Sequence, residues 1–318
     1  VIGFLVVLLA SIFFCFQNVT VRVLFSQHTV LGFLQTGGFV TPTLQHSFLL
    51  LAMRMALVVP LTTCMIPTLY PDTWKDLRQL ANGKNWDALG RSLTGGGLMF
   101  LYLALFYIAV GLLPTGIAIT LFFTYPVFTG LLSKYWFGTF PNRFQWSVMG
   151  LVLIGSFLTI PQGSSPAEQP SWLGVGVGIA SGLAYALYAV NAQRSFETTH
   201  PVPFTWISFA TTWVLAIMSL WIWHVLFSPL QTVQLDWSGL WVGALLSAIA
   251  TATGHLLNNF GIRLIGATTA AMVGASNPAL TVILAWFLIQ EKLNYLQLVG
   301  VAIVSLSVAL LSRSHQAR

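Results

Sequence analysis

LPTGIAITLFFTYPVFTGLL, residues 113–132, aligns without gaps on IGATTAAMVGASNPALTVIL, residues 265–284, pairing Ala118 with Ala270 and Pro126 with Pro278. Each run is apolar and long enough to cross hydrocarbon, and each carries a proline past its midpoint, which removes a backbone hydrogen bond and bends the helix that holds it. Further along, FQWSVMGLVLIGS from Phe144 resembles LQLVGVAIVSLS from Leu296 after a two-residue gap. Upstream, ASIFFCFQNVTVRVL from Ala10 resembles ASGLAYALYAVNAQR from Ala180, matching Ser11 with Ser181. A repeat of this length makes the chain two related halves.

Composition says what the halves are made of. Only 6% of the 318 residues are charged and 56% are hydrophobic, with a mean hydropathy of +0.82. No soluble fold hides that much apolar surface, and ten stretches qualify as spans: 1–24, 46–69, 92–111, 114–133, 144–161, 172–193, 203–228, 238–260, 264–289 and 294–312. The expected fold is all-α and integral to the membrane, with ten transmembrane helices as two five-helix repeats, 1–161 and 172–312. Five is odd, so the second repeat enters the membrane from the opposite face, as an inverted repeat. Tight connections around Leu112 to Pro114 and Gly261 to Arg263 imply helical hairpins.

With the N-terminus placed in the cytoplasm, Lys75, Arg78, Lys84, Arg91, Lys134, Arg143, Arg194, Arg263, Arg313 and Arg318 all fall on that side. Arg22 and Lys292 fall outside, and Arg54 lies within the second span. Both termini are therefore expected to be cytoplasmic, in a multi-pass protein of the cell (inner) membrane. The thirteen Lys and Arg form no basic tract, so the net charge of +6 signals topology and not nucleic acid. Cys15 and Cys64 lie inside apolar runs without ligand spacing, and neither a metal nor a cofactor is expected. The first apolar run lacks a basic lead and a small-residue cleavage site, and is read as a retained helix. The inner loop at 70–91, with Trp74, Leu77, Leu80 and Trp86, suits either a short interfacial amphipathic helix or a plain charged connector.

The repeat unit resembles the EamA-type half of the drug/metabolite transporter superfamily. SNPALTVILAWFLIQEKLNYLQLVGVAIVSLSVAL, from Ser276, carries the resemblance through its proline-bearing helix, Glu291 and the glycine-marked last helix at Gly300. TYPVFTGLLSKYWFGTFPNRFQWSVMG keeps Pro126 and Gly150 but has no acidic counterpart of Glu291. The resemblance implies ten helices, cytoplasmic termini and export or exchange of amino acids or other small metabolites. FFCFQNVTVRV, near the first helix, is loosely similar to aromatic amino-acid exporters.

All seven carboxylates, Asp72, Asp76, Asp87, Glu168, Glu197, Asp236 and Glu291, fall in loops or at helix ends, which disfavours cationic substrates and carboxylate-based proton coupling. Phosphorylated solutes want several intramembrane cations, and only Arg54 is offered. Arg54 either snorkels or binds backbone carbonyls, or else clamps a substrate carboxylate. His255 shares a helical face with Asn258 and Asn259 and suits substrate or proton handling, or packing. TYP and SNP place Tyr125 and Asn277 beside the freed backbone of the hinges Pro126 and Pro278. In the first and sixth helices Gln17, Asn18, Tyr185, Tyr188 and Asn191 offer polar groups and ring faces, joined by Tyr102 and Phe106. The candidate substrate-binding residues are thus Asn18, Tyr102, Tyr125, Tyr185, Tyr188, Asn191, His255 and Asn277, with no catalytic residue.

The function expected is secondary transport, export or exchange, of a small neutral or zwitterionic metabolite by alternating access, with membrane lipid as the other partner and a monomer or homodimer as the working unit. The rival classes are an intramembrane enzyme and a non-transporting scaffold. GASN at Gly274 to Asn277 superficially matches a rhomboid-protease serine motif, but His255 precedes Ser276 where that family has it follow.

Overall fold

A computed structural model describes residues 2–41, 43–81, 86–113, 115–138, 141–158, 172–226, 235–291 and 294–316. Lys84, Pro114, Glu168, Lys292 and Arg318 lie outside the described residues, as do the ends of the fifth and seventh expected spans, 159–161 and 227–228. The helices of the first half are α1 (Ile2–Phe25), α2 (Leu44–Leu69), α3 (Thr73–Ala81), α4 (Trp86–Leu112), α5 (Thr115–Phe122), α6 (Tyr125–Phe137) and α7 (Arg143–Leu158). Those of the second are α8 (Trp172–Ser195), α9 (Pro201–Leu226), α10 (Trp237–Gly274), α11 (Asn277–Ile289) and α12 (Tyr295–Gln316). Among the described residues, seven helical stretches are long and apolar enough to cross a membrane, and three shorter apolar helices, Arg143–Leu158, Asn277–Ile289 and Tyr295–Leu310, accompany them.

The fourth and ninth expected spans are each broken two residues before their proline. Thr124 (φ −72, ψ −9) separates α5 from α6, and Ser276 (φ −74, ψ −11) separates the end of α10 from α11. The two breaks are built alike. Thr124 Oγ1 donates to the Leu121 carbonyl at 2.6 Å and Ser276 Oγ to the Val273 carbonyl at 2.7 Å. Both following helices end on a left-handed residue, Gly138 (φ 65) and Gln290 (φ 52). Both then lead into a capping box, in which Asn142 N donates to Gln145 Oε1 and Asn294 N to Gln297 Oε1, each at 2.9 Å. These pairs keep the register of Pro126 and Pro278, so the two-residue gap suggested by the glycines is not needed.

Packing fixes the directions of the helices. Along α1, Leu24 meets Gly243, Phe14 meets Gly254 and Val7 meets Gly261, so α1 runs antiparallel to the first limb of α10. Cys15 reaches Asn277, Asn18 reaches Thr281 and Arg22 reaches Glu291, so it runs parallel to α11. The chain therefore reverses at Gly266, whose φ of 78 and ψ of 158 leave the helical region, a few residues beyond the turn expected at Gly261 to Arg263. The second half's first helix is placed the same way. α8 runs antiparallel to α4, with Asn191 at Arg91 and Tyr185 at Tyr102, and parallel to α5, with Gly174 at Leu113 and Gly182 at Thr124. α4 runs parallel to α9, with Ser208 on Ser92 and Thr212 on Gly96, while Trp206 on Thr63 and Val202 beside Ile66 set α9 antiparallel to α2. α7 and α12 pack together at Gly155 and Val304.

Between α1 and α2 lies a two-stranded antiparallel hairpin of β1 (Gln27–Val30) and β2 (Leu34–Gly37), which no alternation in the sequence announces. Leu31 and Gly32 take positive φ at its turn, and Leu31 N donates to the Leu288 carbonyl at 2.7 Å, pinning the hairpin to the end of α11. Beside it Arg22 and Glu291 pair at 2.7 Å. In the inner loop, α3 is a helix whose Trp74 meets Trp206 edge-on at 5.8 Å and whose Leu80 packs with Ala88 and Ile207. Its apolar face is thus spent on the start of α9.

At that same end His200 stacks on Tyr70 at 4.0 Å and meets Phe260 edge-on at 5.6 Å, while its Nδ1 accepts from Val202 N at 3.3 Å. Burial and then the nearby Arg263 hold the imidazole below its ordinary range, against a smaller opposing pull from Asp76.

Two outcomes are expected. A side chain added at Gly261 collides with Val7, whereas Gly150 faces open space. Gly261→Leu should therefore destabilise the detergent-solubilised protein by about 1–3 kcal/mol in thermal unfolding and Gly150→Leu by less than about 0.5 kcal/mol. Because the folded state holds the His200 proton less tightly than the unfolded chain does, stability should be full above about pH 6.5 and decline as pH falls through that value. His200→Gln should flatten that decline in melting curves taken from about pH 7.5 to about pH 5.5.

Candidate functional site

The two helix breaks come together. A side chain at Gly274 would strike the hydroxyl of Tyr125, so the ring that opens α6 lies against the backbone just before the second break. Tyr125 packs on Tyr185 at 4.5 Å between ring centroids, and Tyr185 lies edge-on to Tyr102 at 5.1 Å. Tyr188 completes the group, 6.1 Å from Tyr185 and 6.2 Å from Tyr102. Phe122 closes one side against Tyr102, Tyr125 and Tyr185, with Phe106 behind it at 5.3 Å. Four of the eight expected site residues therefore form one aromatic cluster, contributed by α4, α6 and α8.

α10 supplies the polar side. His255 is buried, edge-on to Phe14 at 4.9 Å, to Phe209 at 5.6 Å and to Tyr188 at 6.4 Å. Its Nδ1 has no hydrogen-bond partner among the described residues, and neither have Asn258 Nδ2, on the Tyr185 side, or Asn277 Oδ1, at the second break. Buried polar atoms without partners are rare, because each forfeits the hydration it had in water. Three of them around one aromatic cluster mark a surface with one acceptor and further donor capacity to offer. The described carboxylates all lie in α3, in loops or at helix ends, so the site carries no acid.

Neighbouring positions are spent on architecture. Asn259 Nδ2 donates to Tyr188 Oη at 3.0 Å and to Thr205 Oγ1 at 2.8 Å, which ties α8, α9 and α10 together. Asn191 Nδ2 donates to the Arg91 carbonyl at 2.9 Å, three turns of α4 away from Tyr102. Asn18 is exposed and donates to Thr281 Oγ1 at 3.4 Å. The structure thus does not bring Asn18 and Asn191 to the cluster. Ser276 Oγ is engaged by the Val273 carbonyl within its own turn, as Thr124 Oγ1 is by Leu121 at the first break.

Sequence reasoning passed over Ser247 and Thr251. With His255 and Asn258 they form one stripe of α10, and the Thr251 hydroxyl donates to Gln17 Oε1 at 2.8 Å. The signal was the spacing of four, four and three, hidden beside the small-residue row of Ala244, Ala248 and Ala252.

Comparison with known proteins bears on the whole assembly. The EamA-like transporter family matches residues 172–313. An uncharacterized transporter, sll1319 of Synechocystis sp. (strain ATCC 27184 / PCC 6803 / Kazusa), is 54% identical over 98% of this chain and 93% of its own length. The threonine/homoserine exporter RhtA of Salmonella typhimurium (strain SL1344) is 25% identical over 68% of each chain. A solved crystal structure superposes with a TM-score of 0.70 over 97% of this chain and 96% of its own, at 16% identity, which speaks for the fold alone.

Removing the Tyr188 hydroxyl leaves Asn259 short of one partner. Tyr188→Phe should lower stability in detergent by roughly 1 kcal/mol, and Asn259→Ala by more because Thr205 also loses its bond.

Proposed function

We propose, from the premise that this chain belongs to the EamA-like transporter family, that it exports or exchanges a small neutral or zwitterionic metabolite such as an amino acid by alternating access. The observation that carries this reading is the meeting of two broken helices at an aromatic cluster lined by unpartnered polar atoms. Rings supply apolar contact, the orphaned donors and acceptor supply orientation, and the lack of acid or phosphate-binding charge suits an uncharged or zwitterionic solute. RhtA, named a threonine/homoserine exporter, supports a hydroxylated amino acid as the first candidate.

In this reading ten spans form two inverted halves, with both termini on the cytoplasmic face of the inner membrane. The helix directions support it. Each first helix, α1 or α8, lies antiparallel to the third span of the other half and parallel to its fourth, and α4 and α9 run together while α2 opposes α9. Such an exchange of roles lets one half adopt the conformation the other leaves, exposing the site to each side in turn. Coupling runs by exchange, or by protons through His255, the one imidazole at the cluster.

Purified protein in liposomes preloaded with unlabelled L-threonine should accumulate labelled L-threonine above protein-free liposomes, and His255→Ala should cut the rate about tenfold or more. Running the assay at two pH values separates exchange from proton coupling. A panel of amino acids giving only protein-free uptake would end the amino-acid reading.

A further inference from the structure

Arg54 sits in α2 and is only 4% exposed. A snorkelling arginine carries its guanidinium out to the interface, and this one does not. Its Nη2 donates to Tyr107 Oη at 3.5 Å, a long bond to a neutral group, and its Nε has no partner. The single ion pair among the described residues is Arg22 with Glu291, so no described carboxylate answers Arg54. Nor does a backbone carbonyl accept from it among the described residues.

The space beside it is shaped for something else. Arg54, Tyr107, Ser47 and Ser247 line a small, part-open cavity of about 20 Å³, walled by Leu24 and Leu50, with room for one small polar group. Ser247 Oγ, buried on α10, is likewise without a partner. The cavity therefore offers a planar fork of donors and two or three hydroxyls, and no anion. The loop after α1 covers this end, with Phe39 N on the Leu24 carbonyl at 2.9 Å and Asp236 N on the Phe39 carbonyl at 3.4 Å. Tyr107 stands on α4 five residues from Tyr102, and its ring lies 6.3 Å from Phe106, which packs on Phe122 at 5.3 Å, so the cavity adjoins the aromatic cluster.

We propose that Arg54, with Tyr107 and Ser247, binds the carboxylate of the solute, whose remaining groups face the aromatic cluster. The inference rests on the transport reading and narrows its substrate class to a solute bearing a single carboxylate. A single guanidinium matches the two oxygens of one carboxylate by parallel hydrogen bonds, whereas a phosphate dianion asks for more positive charge than the cavity has. A buried cation left alone is costly, and a substrate anion that completes it gains affinity from that relief.

The test uses the full chain in detergent and in liposomes, with wild type, Arg54→Gln and Arg54→Lys. L-threonine should raise the melting temperature of wild type, and L-threoninamide, which keeps the amine and hydroxyl but lacks the carboxylate, should not. Arg54→Gln should lose the response and raise KM for L-threonine uptake about 10- to 100-fold, with Arg54→Lys in between. Equal protection by the amide, or an unchanged response in Arg54→Gln, overturns the proposal. If wild type neither binds nor moves L-threonine, acetate, lactate and benzoate are compared with their amides in the melting assay. Arg54-dependent protection by those carboxylates alone upholds the carboxylate site while the amino-acid reading falls, and no protection removes both. Protection by phosphatidylglycerol instead, lost in Arg54→Gln, assigns the guanidinium to a lipid headgroup and overturns the proposal. Should Arg54→Gln fail to fold, Tyr107→Phe and Ser247→Ala carry the test, each expected to weaken the L-threonine response about three- to tenfold.

Discussion

A proline inside a spanning helix leaves backbone groups that hydrocarbon cannot satisfy, and the neighbouring helices are arranged to answer them. At the second break Ser156 Oγ donates to the Ala275 carbonyl at 3.1 Å and Cys15 Sγ to the Asn277 carbonyl at 3.4 Å, so α7 and α1 are both drawn to that point. At the first, α8 brings Gly182 against Phe122 and Thr124, where only a residue without a side chain allows the approach. Each break is thus enclosed by helices distant in sequence, α1 and α7 at the second and α8 at the first. The aromatic cluster sits where the two enclosures touch, and the unpartnered atoms of His255, Asn258 and Asn277 are the remainder that no neighbouring helix takes up.

The apolar helices and the paired breaks were legible because they depend on features that survive in one sequence: apolar length, and a proline recurring in register. The finer repeat was hidden by composition. Glycine and aliphatic residues are so common here that Gly150 aligned plausibly with Gly300, while the register is carried by polar caps, Asn142 with Gln145 and Asn294 with Gln297. In a chain this apolar, a hydrogen-bonding pair at fixed spacing holds more information than a run of small residues. The hairpin at 27–37 escaped for the opposite reason. Its strands are four residues each and owe their place to Leu31 on the end of α11, a contact that lies far away in sequence.

The site was half legible. Aromatic residues near the middles of α4 and α8, and at the start of α6, gathered as expected, because large rings in helices that share neighbours have few other places to pack. Asparagines did not sort by type. Asn258 and Asn259 are adjacent, yet a rotation of 100° along a helix sends Asn259 to Tyr188 and Thr205 and leaves Asn258 beside Tyr185. Asn18 and Asn191 were grouped with the cluster on the strength of their helices, and both instead join one helix to another. Which face of a spanning helix meets protein is fixed by its neighbours, and a lone sequence does not state them.

The helices that follow the two breaks end differently. Arg22 and Glu291 join α1 to the end of α11 with side chains 30% and 33% exposed, a surface pair worth about 0.2–1 kcal/mol. In the first half Gly138 stands where Gln290 does, and no acid follows it in the sequence before Arg143. The latch therefore exists at one end only, together with the hairpin that lies over it. A contact this weak is easily separated, and the Leu31 hydrogen bond beside it is single. At the other end the closure is of another kind: Tyr70, His200 and Phe260 stack, and Trp74 packs on Trp206, so rings rather than charges hold α2, α3, α9 and α10 together. The two ends are thus held by unlike chemistry, an exposed ion pair at one and stacked rings at the other.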